Sequence, residues 1–219
     1  MRALVIGDSG GIGEAVADQA RVRGDEVVGL SRRRDGLEFA APETVERVLS
    51  GISGPFDMVF VATGALSSTD VRPEKALREL TAAEMAAQFA VNTIGPALVM
   101  KQLGRWLPRQ SRSVFAVLSA RVGSIGDNRA GGWYSYRSSK AALNQVLHTG
   151  AIEVARTHKH AICVALHPGT VETDFTASYP AHKKVGPREA AENLLSVLEA
   201  LTPQESGGFF DYSGARVPW

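Results

Sequence analysis

The 219-residue chain carries 24 lysines and arginines against 23 acidic residues, for a formal net charge of +1, and 44% of it is hydrophobic. This length suits one α/β domain, which routinely reaches about 250 residues, and the balanced charge points to neither a nucleic-acid nor an acidic-membrane partner. The single cysteine, Cys163, excludes an internal disulfide framework and fits a reducing cytoplasm.

Short apolar runs alternate with helical patterns along the chain. Strands are predicted at 3–6, 27–30, 58–62, 113–118, 162–167 and 208–212. The first apolar run stops at Gly7, too short for the core of a secretion leader or a membrane span. Helices are predicted at 12–23, 42–49, 82–106, 136–156 and 188–201. The second opens on Pro42, and the long third one carries Gly95-Pro96 as a place to bend. Continuous apolar strands between amphipathic helices predict an α/β fold, a Rossmann-type doubly wound parallel sheet with helices on both faces, in one domain over 1–219. Such sheets bind ligands beyond the carboxyl ends of their strands. Cys163 falls inside the fifth strand and reads as a buried, inert thiol.

The turn Gly7-Asp8-Ser9-Gly10-Gly11-Ile12-Gly13 joins the first strand to the first helix. Glycine lets the backbone turn sharply and approach a pyrophosphate, while the helix N-terminus offers free N–H groups and a positive dipole end. The turn predicts a dinucleotide cradle built from Gly7, Ser9, Gly11, Ile12 and Gly13. The second strand runs into Ser31-Arg32-Arg33-Arg34. An acidic residue there would hold the ribose 2′-hydroxyl of NAD; Ser31 with arginines behind it suits a 2′-phosphate instead. Ser31, Arg32 and Arg33 therefore predict NADP(H) over NAD(H).

Tyr136 and Lys140 stand four residues apart at the start of a helical stretch. Residues at that spacing share a helix face, so the ammonium can stand beside the phenol. A free phenol titrates near 10 and is a poor base at neutral pH. A nearby positive charge favours phenolate, which predicts a phenol tuned for proton transfer.

The glycine turn, Ala62-Thr63-Gly64, Asn92, the Tyr136/Lys140 pair and His167-Pro168-Gly169-Thr170-Val171-Glu172-Thr173 together resemble the short-chain dehydrogenase/reductase family over nearly the whole chain. The ending 207–214 and the terminal Trp219 resemble the group containing the C-factor protein and the Sniffer-type carbonyl reductases. The resemblance implies that Tyr136 exchanges a proton with a carbonyl oxygen while nicotinamide C4 exchanges hydride with its carbon. It implies that Lys140 also binds the nicotinamide ribose, and that Asn92 bends the long helix and supports a proton-relay water. Ala62, Thr63, Gly64, Pro168 and Gly169 would contact the dinucleotide, and Val171 and Thr173 would hold its carboxamide. Glu38 stands where relatives often carry an adenine-contacting aspartate. The serine that polarises the carbonyl is Ser119 or Ser124, because Ala120 occupies the usual position.

The segment between Glu172 and Pro187, with Phe175, Tyr179, Pro180 and His182, should border the substrate, and Trp133 and Tyr134 would add aromatic walls. His158 and His160 lie near a helix end and read as ordinary solvated or dipole-facing residues there; no spacing resembles a zinc site. The expected protein is a cytoplasmic NADPH-dependent reductase of an aldehyde or ketone, a homodimer or homotetramer through helices 82–106 and 136–156. A dinucleotide-binding sensor with little turnover is the rival.

Overall fold

The structure, a computed structural model, describes residues 1–67, 72–177 and 184–219. Six parallel strands form one sheet in the order β2-β1-β3-β4-β5-β6. They are β1 (Arg2–Ile6), β2 (Glu26–Leu30), β3 (Met58–Val61), β4 (Ser113–Leu118), β5 (Ala161–His167) and β6 (Phe209–Asp211). The central strands alternate their side chains between two apolar layers, as the pleat requires. Leu4, Ile6, Val59, Val61, Phe115 and Val117 face one layer. Ala3, Val5, Met58, Phe60, Val114 and Ala116 face the other. Because both faces are covered, these strands read as unbroken apolar runs.

Helices α1 (Gly11–Val22) and α8 (Pro187–Ala200) close the second layer through Val16, Ala17, Ala191 and Leu194. The first layer is closed by α3 (Pro42–Ser50) and by α7 (Tyr134–Val154), which contributes Leu143, Leu147 and Ala151. Before α3, a single turn α2 (Arg32–Asp35) follows β2, capped by the Ser31 hydroxyl, which accepts from the Arg34 N–H at 3.3 Å. The chain leaves β1 for β2 on one side and returns to β3 on the other. That reversal opens a crevice beyond Ile6 and Val61, where parallel sheets bind ligands.

The helix expected over 82–106, with its bend, is a broken column. It comprises α4 (Ala82–Phe89), a π turn over Ala90–Ile94, α5 (Gly95–Met100) and α6 (Leu103–Trp106). The irregularity falls on Asn92, one turn before Gly95-Pro96. Pro96 does little damage because it stands at the first turn of α5, where its missing N–H is not needed. Trp106 then anchors the column: it is fully buried, meets Phe56 edge-on at 6.2 Å between ring centroids, and donates Nε1–H to the Ile52 carbonyl at 3.1 Å. The thiol of Cys163 is fully buried on the sheet, and burial pushes it up to about 12, so it stays protonated.

The start of α1 is packed directly on the glycine turn. A Cβ on Gly13 would stand 2.1 Å from the Gly7 carbonyl oxygen and 3.0 Å from Ala62 Cβ. Backbone cannot yield there, so Gly13→Ala is expected to cost about 1–3 kcal/mol. Its thermal midpoint should fall by about 2 °C or more; an unchanged midpoint would contradict this close packing.

Candidate active site

A cavity of ≈740 Å³ opens at the carboxyl ends of β1, β3, β4 and β5. Its floor is the glycine turn, represented by Ser9, Gly11 and Ile12. Gly7 lies beneath, with φ +91°, and its N–H reaches the Leu30 carbonyl at 2.8 Å. That left-handed conformation is easy only for glycine, and a Cβ there would press on Ala62 and Thr63 at 3.1–3.3 Å. Gly10, the residue before α1, makes no side-chain cap, so the first N–H groups of this twelve-residue helix are not taken by a side chain. Gly11 is pinned from above: a Cβ there would stand 2.5 Å from Thr173 Cγ2. The turn and the segment after β5, distant in sequence, therefore share one wall.

The other walls hold Ala62, Thr63 and Gly64 after β3, and Pro168, Gly169, Val171 and Thr173 after β5. Gly169 has φ +77° and lies against the Tyr212 ring. Val171 forms a parallel bridge with Val185, and Thr173 closes a reciprocal cap with Thr176. Two buried polar atoms on this wall, Thr63 Oγ1 and His167 Nδ1, find no hydrogen-bond partner among the described residues. Burial holds His167 neutral, lowered to about 4, although the nearby Asp211 opposes this.

Tyr136 and Lys140 both reach the same cavity from the first turns of α7. They are 6% and 2% exposed. Lys140 Nζ donates to the Leu118 carbonyl at 2.9 Å and lies 6.0 Å from the centre of the Tyr136 ring. Burial opposes the expected lowering of the phenol by its cationic neighbour. Burial raises the Tyr136 phenol above its ordinary value and lowers Lys140 to about 7. Desolvation disfavours both charged forms.

Asn92 does not line the cavity; it stands behind it. Its amide donates to the Ala65 carbonyl at 2.8 Å and to Gln88 Oε1 at 2.6 Å, and its oxygen accepts from the Ala65 N–H at 2.9 Å. It thereby ties the π turn to the segment after β3. Ser119 is on the cavity wall, but its hydroxyl donates to Asn144 Oδ1 at 2.7 Å. Ser124 is off the wall and accepts from the Asp127 N–H at 3.1 Å, stabilising a turn. Ala120 lies between them on the wall.

The start of α7 is unusual. Trp133 adopts φ 55°, ψ 42°, a strained choice for a bulky residue. Its N–H donates to the Glu74 carbonyl at 2.5 Å, while the buried Glu74 carboxylate accepts from the Ser135 N–H at 3.3 Å and from the Ser135 hydroxyl. A carboxylate there complements the helix dipole. The Trp133 ring meets Tyr136 at 6.2 Å, and Phe175 meets Tyr136 from another side at 6.1 Å. Tyr134 is half-buried and does not line the cavity. Tyr179, Pro180 and His182 lie outside the described residues.

At the end of β2, Ser31 is buried and caps α2, and Arg32 is 73% exposed with Glu38 at 3.6 Å. Glu38 also accepts from the Ala40 N–H at 3.2 Å, so it is not free to face an adenine alone. Arg33 is exposed. Arg34 turns back to Asp8, a contact that local sequence does not signal. His158 is buried rather than on the surface, and His160 is exposed. No group of three or more His, Cys, Asp or Glu residues placed to hold a metal occurs among the described residues. None of the described helices is long and apolar enough to cross a membrane.

A family model described as short chain dehydrogenase matches residues 39–184. The chain is 31% identical over 233 residues to 1-hydroxy-2-glutathionyl-2-methyl-3-butene dehydrogenase of a Rhodococcus strain, spanning 99% of this chain and 98% of that one. It is 36% identical over 147 residues to the C-signal protein of Myxococcus xanthus, covering 66% of this chain and 84% of that one. Among solved structures, a carbonyl reductase of Pseudomonas aeruginosa superposes with a TM-score of 0.80 at 26% identity, covering 100% and 99% of the two chains. A short-chain dehydrogenase/reductase of Burkholderia multivorans with bound NADP superposes at 0.79 with 25% identity and the same coverage. The chain belongs to the short-chain dehydrogenase/reductase family and is an oxidoreductase.

Lys140 gives this site a measurable pH signature. Burial brings it to about 7 in the folded protein, below the ordinary lysine value of 10.5. Between these limits the unfolded chain binds more protons than the folded one, so stability rises with pH across that window. Relative to Lys140→Met, the parent should gain about 1.4 kcal/mol per pH unit at most between pH 7 and 10. Chemical denaturation across that range checks it, and parallel curves for the two proteins would refute the buried neutral lysine.

Proposed function

We propose that the protein is an NADPH-dependent reductase of an aldehyde or ketone, with residues 1–219 acting as one dinucleotide-binding domain. The observation that carries this reading is the meeting of Tyr136 and Lys140, both buried, on the wall of the cavity whose floor is the glycine turn. The residues present fit a nicotinamide dinucleotide. Glycines leave a cradle that side chains would fill, the N-terminus of α1 faces it, and Thr63 Oγ1 stands beside it without a partner among the described residues. Gly7, Ser9, Gly11, Ile12 and Gly13 would hold its pyrophosphate region, with Ser31, Arg32 and Arg33 at the 2′-phosphate and Glu38 near the adenine. Ala62, Thr63, Gly64, Pro168, Gly169, Val171 and Thr173 would hold the remainder. When bound, the reduced dinucleotide supplies hydride to a carbonyl carbon.

Tyr136 gives its proton to the carbonyl oxygen. Burial keeps the phenol protonated at neutral pH, which suits an acid and therefore the direction of reduction. Lys140 sits beside it, close to half-protonated near pH 7. An anionic ligand in the same cavity would favour its ammonium form and so steady negative charge that develops at the phenol oxygen. Ser119 would orient the carbonyl together with Asn144, and Asn92 would keep the wall after β3 in register and support the proton relay. Trp133 and Phe175 give the substrate end an apolar, aromatic lining. A homodimer or homotetramer through the α4–α5 and α7 faces fits the exposed Ile94 and Ile152, 45% and 54% accessible.

One observation favours the alternative of a dinucleotide-binding sensor with little turnover: the Ser119 hydroxyl is given to Asn144, and Ala120 offers none. NADPH oxidation across a panel of aldehydes and ketones separates the two. Turnover of at least one carbonyl is expected, and Tyr136→Phe should lower kcat by about 10²–10⁴-fold while leaving NADPH binding intact. Tight NADPH binding with no turnover on any member would favour the sensor, and undiminished kcat in Tyr136→Phe would remove the proton-donor role.

A further inference from the structure

The charges at the end of β2 form an arrangement that the glycine turn by itself does not require. Asp8 follows Gly7, and its N–H, like that of Gly7, points to the Leu30 carbonyl, at 3.3 Å. Its carboxylate is 5% exposed. It occupies the space beside Gly29: a Cβ there would stand 1.9 Å from Asp8 Oδ2. The absence of a side chain at position 29 is what admits a carboxylate to this strand end. Arg34 then closes over it. Its Nη2 donates to both Asp8 oxygens at 3.1 Å and to the Gly29 carbonyl, and lies 3.2 Å from Asp35 Oδ2. Asp35 also accepts from the Ser31 N–H at 2.7 Å. Two carboxylates thus share the end of β2 with Ser31, and among the described residues the guanidinium paired with both of them is that of Arg34.

Resting on the NADPH reading above, we propose that the Asp8–Arg34 ion pair sets coenzyme selectivity, with Arg34 a positioning residue that acts through Asp8. With Arg34 in place, the Asp8 charge is compensated and Arg32 and Arg33 meet a 2′-phosphate without opposition. Without it, an uncompensated carboxylate stands at the ribose end, where acidic groups accept from a 2′-hydroxyl and repel a 2′-phosphate. Arg32 and Arg33 remain exposed in either case, so the proposal separates selectivity from the mere presence of cations.

The test is calorimetric titration of adenosine 2′,5′-bisphosphate and 5′-AMP, which differ only in the 2′-phosphate, at fixed salt. The proteins are the parent, Arg34→Gln, Asp8→Ser and the Asp8→Ser/Arg34→Gln double variant. The parent should prefer the bisphosphate. Arg34→Gln should lose about tenfold or more of that preference while still binding 5′-AMP. Asp8→Ser should keep or increase the preference, and the double variant should recover most of what Arg34→Gln loses. Equal weakening of both nucleotides in Arg34→Gln would mark a collapsed loop and overturn the proposal. No recovery in the double variant would assign Arg34 to direct phosphate contact and also overturn it, as would a fall in preference in Asp8→Ser, the arm that stands if Arg34→Gln fails to fold. A parent that binds neither nucleotide, or binds both alike, would fail one stage earlier and remove the NADPH reading itself.

Discussion

The rest of the site depends on a lysine 2% exposed whose acceptor among the described residues is one backbone carbonyl. A buried ammonium loses its hydration, and a single carbonyl returns only part of it. In the folded protein this lowers Lys140 to about 7. Its position needs the end of β4, which supplies Leu118 O, and the first turns of α7, which supply the lysine and Tyr136. Those first turns in turn depend on Glu74, whose carboxylate and carbonyl hold Ser135 and Trp133. Glu74 comes from the segment before α4, so three distant stretches cooperate to set one phenol and one amine on the cavity wall.

The parallel sheet explains why everything gathers at one end. Strands covered on both faces leave no room for polar groups along their length, so polar function is confined to their carboxyl ends. The reversal between β1 and β3 separates the loops there and makes the crevice. Glycines at 7, 11 and 13 keep it open, because each missing Cβ marks a contact with Thr63, Thr173 or the turn's own backbone. The same logic operates at Gly29, where the missing side chain makes room for Asp8. The relation between packing and charge is therefore direct: small residues decide where carboxylates and cations stand.

Periodicity and punctuation in the chain carried the six strands, the helices around them and the glycine turn, because these rest on interactions within a few residues: apolar spacing, a proline at the start of α3, glycines after β1. The four-residue spacing of Tyr136 and Lys140 was legible for the same reason. That helix 82–106 bends was expected at Gly95-Pro96 and, from the resemblance, at Asn92; that it divides into several pieces around a π turn was not. Its break depends on Asn92 bonding to Ala65, twenty-seven residues away, a preference that local propensity does not contain. The choice between Ser119 and Ser124 was likewise open, since both are serines near a strand end. The fold resolves their surroundings by giving one to Asn144 on α7 and the other to a tight turn.

What the amino-acid order determined unaided is the α/β class, the place of the glycine turn and the phenol–amine pair, all set by short-range pattern and residue type. What the tertiary structure decided is their electrostatic state. A cation four residues from a phenol suggests a lowered phenol, yet burial by β4, the segment after β5 and the aromatic wall raises it. Likewise, three consecutive arginines look equivalent in the chain, and only the meeting of α2 with the glycine turn commits Arg34 to Asp8 and leaves Arg32 and Arg33 outward. Charge and solvation are properties of everything packed around a group, and most of what surrounds these groups comes from elsewhere in the chain.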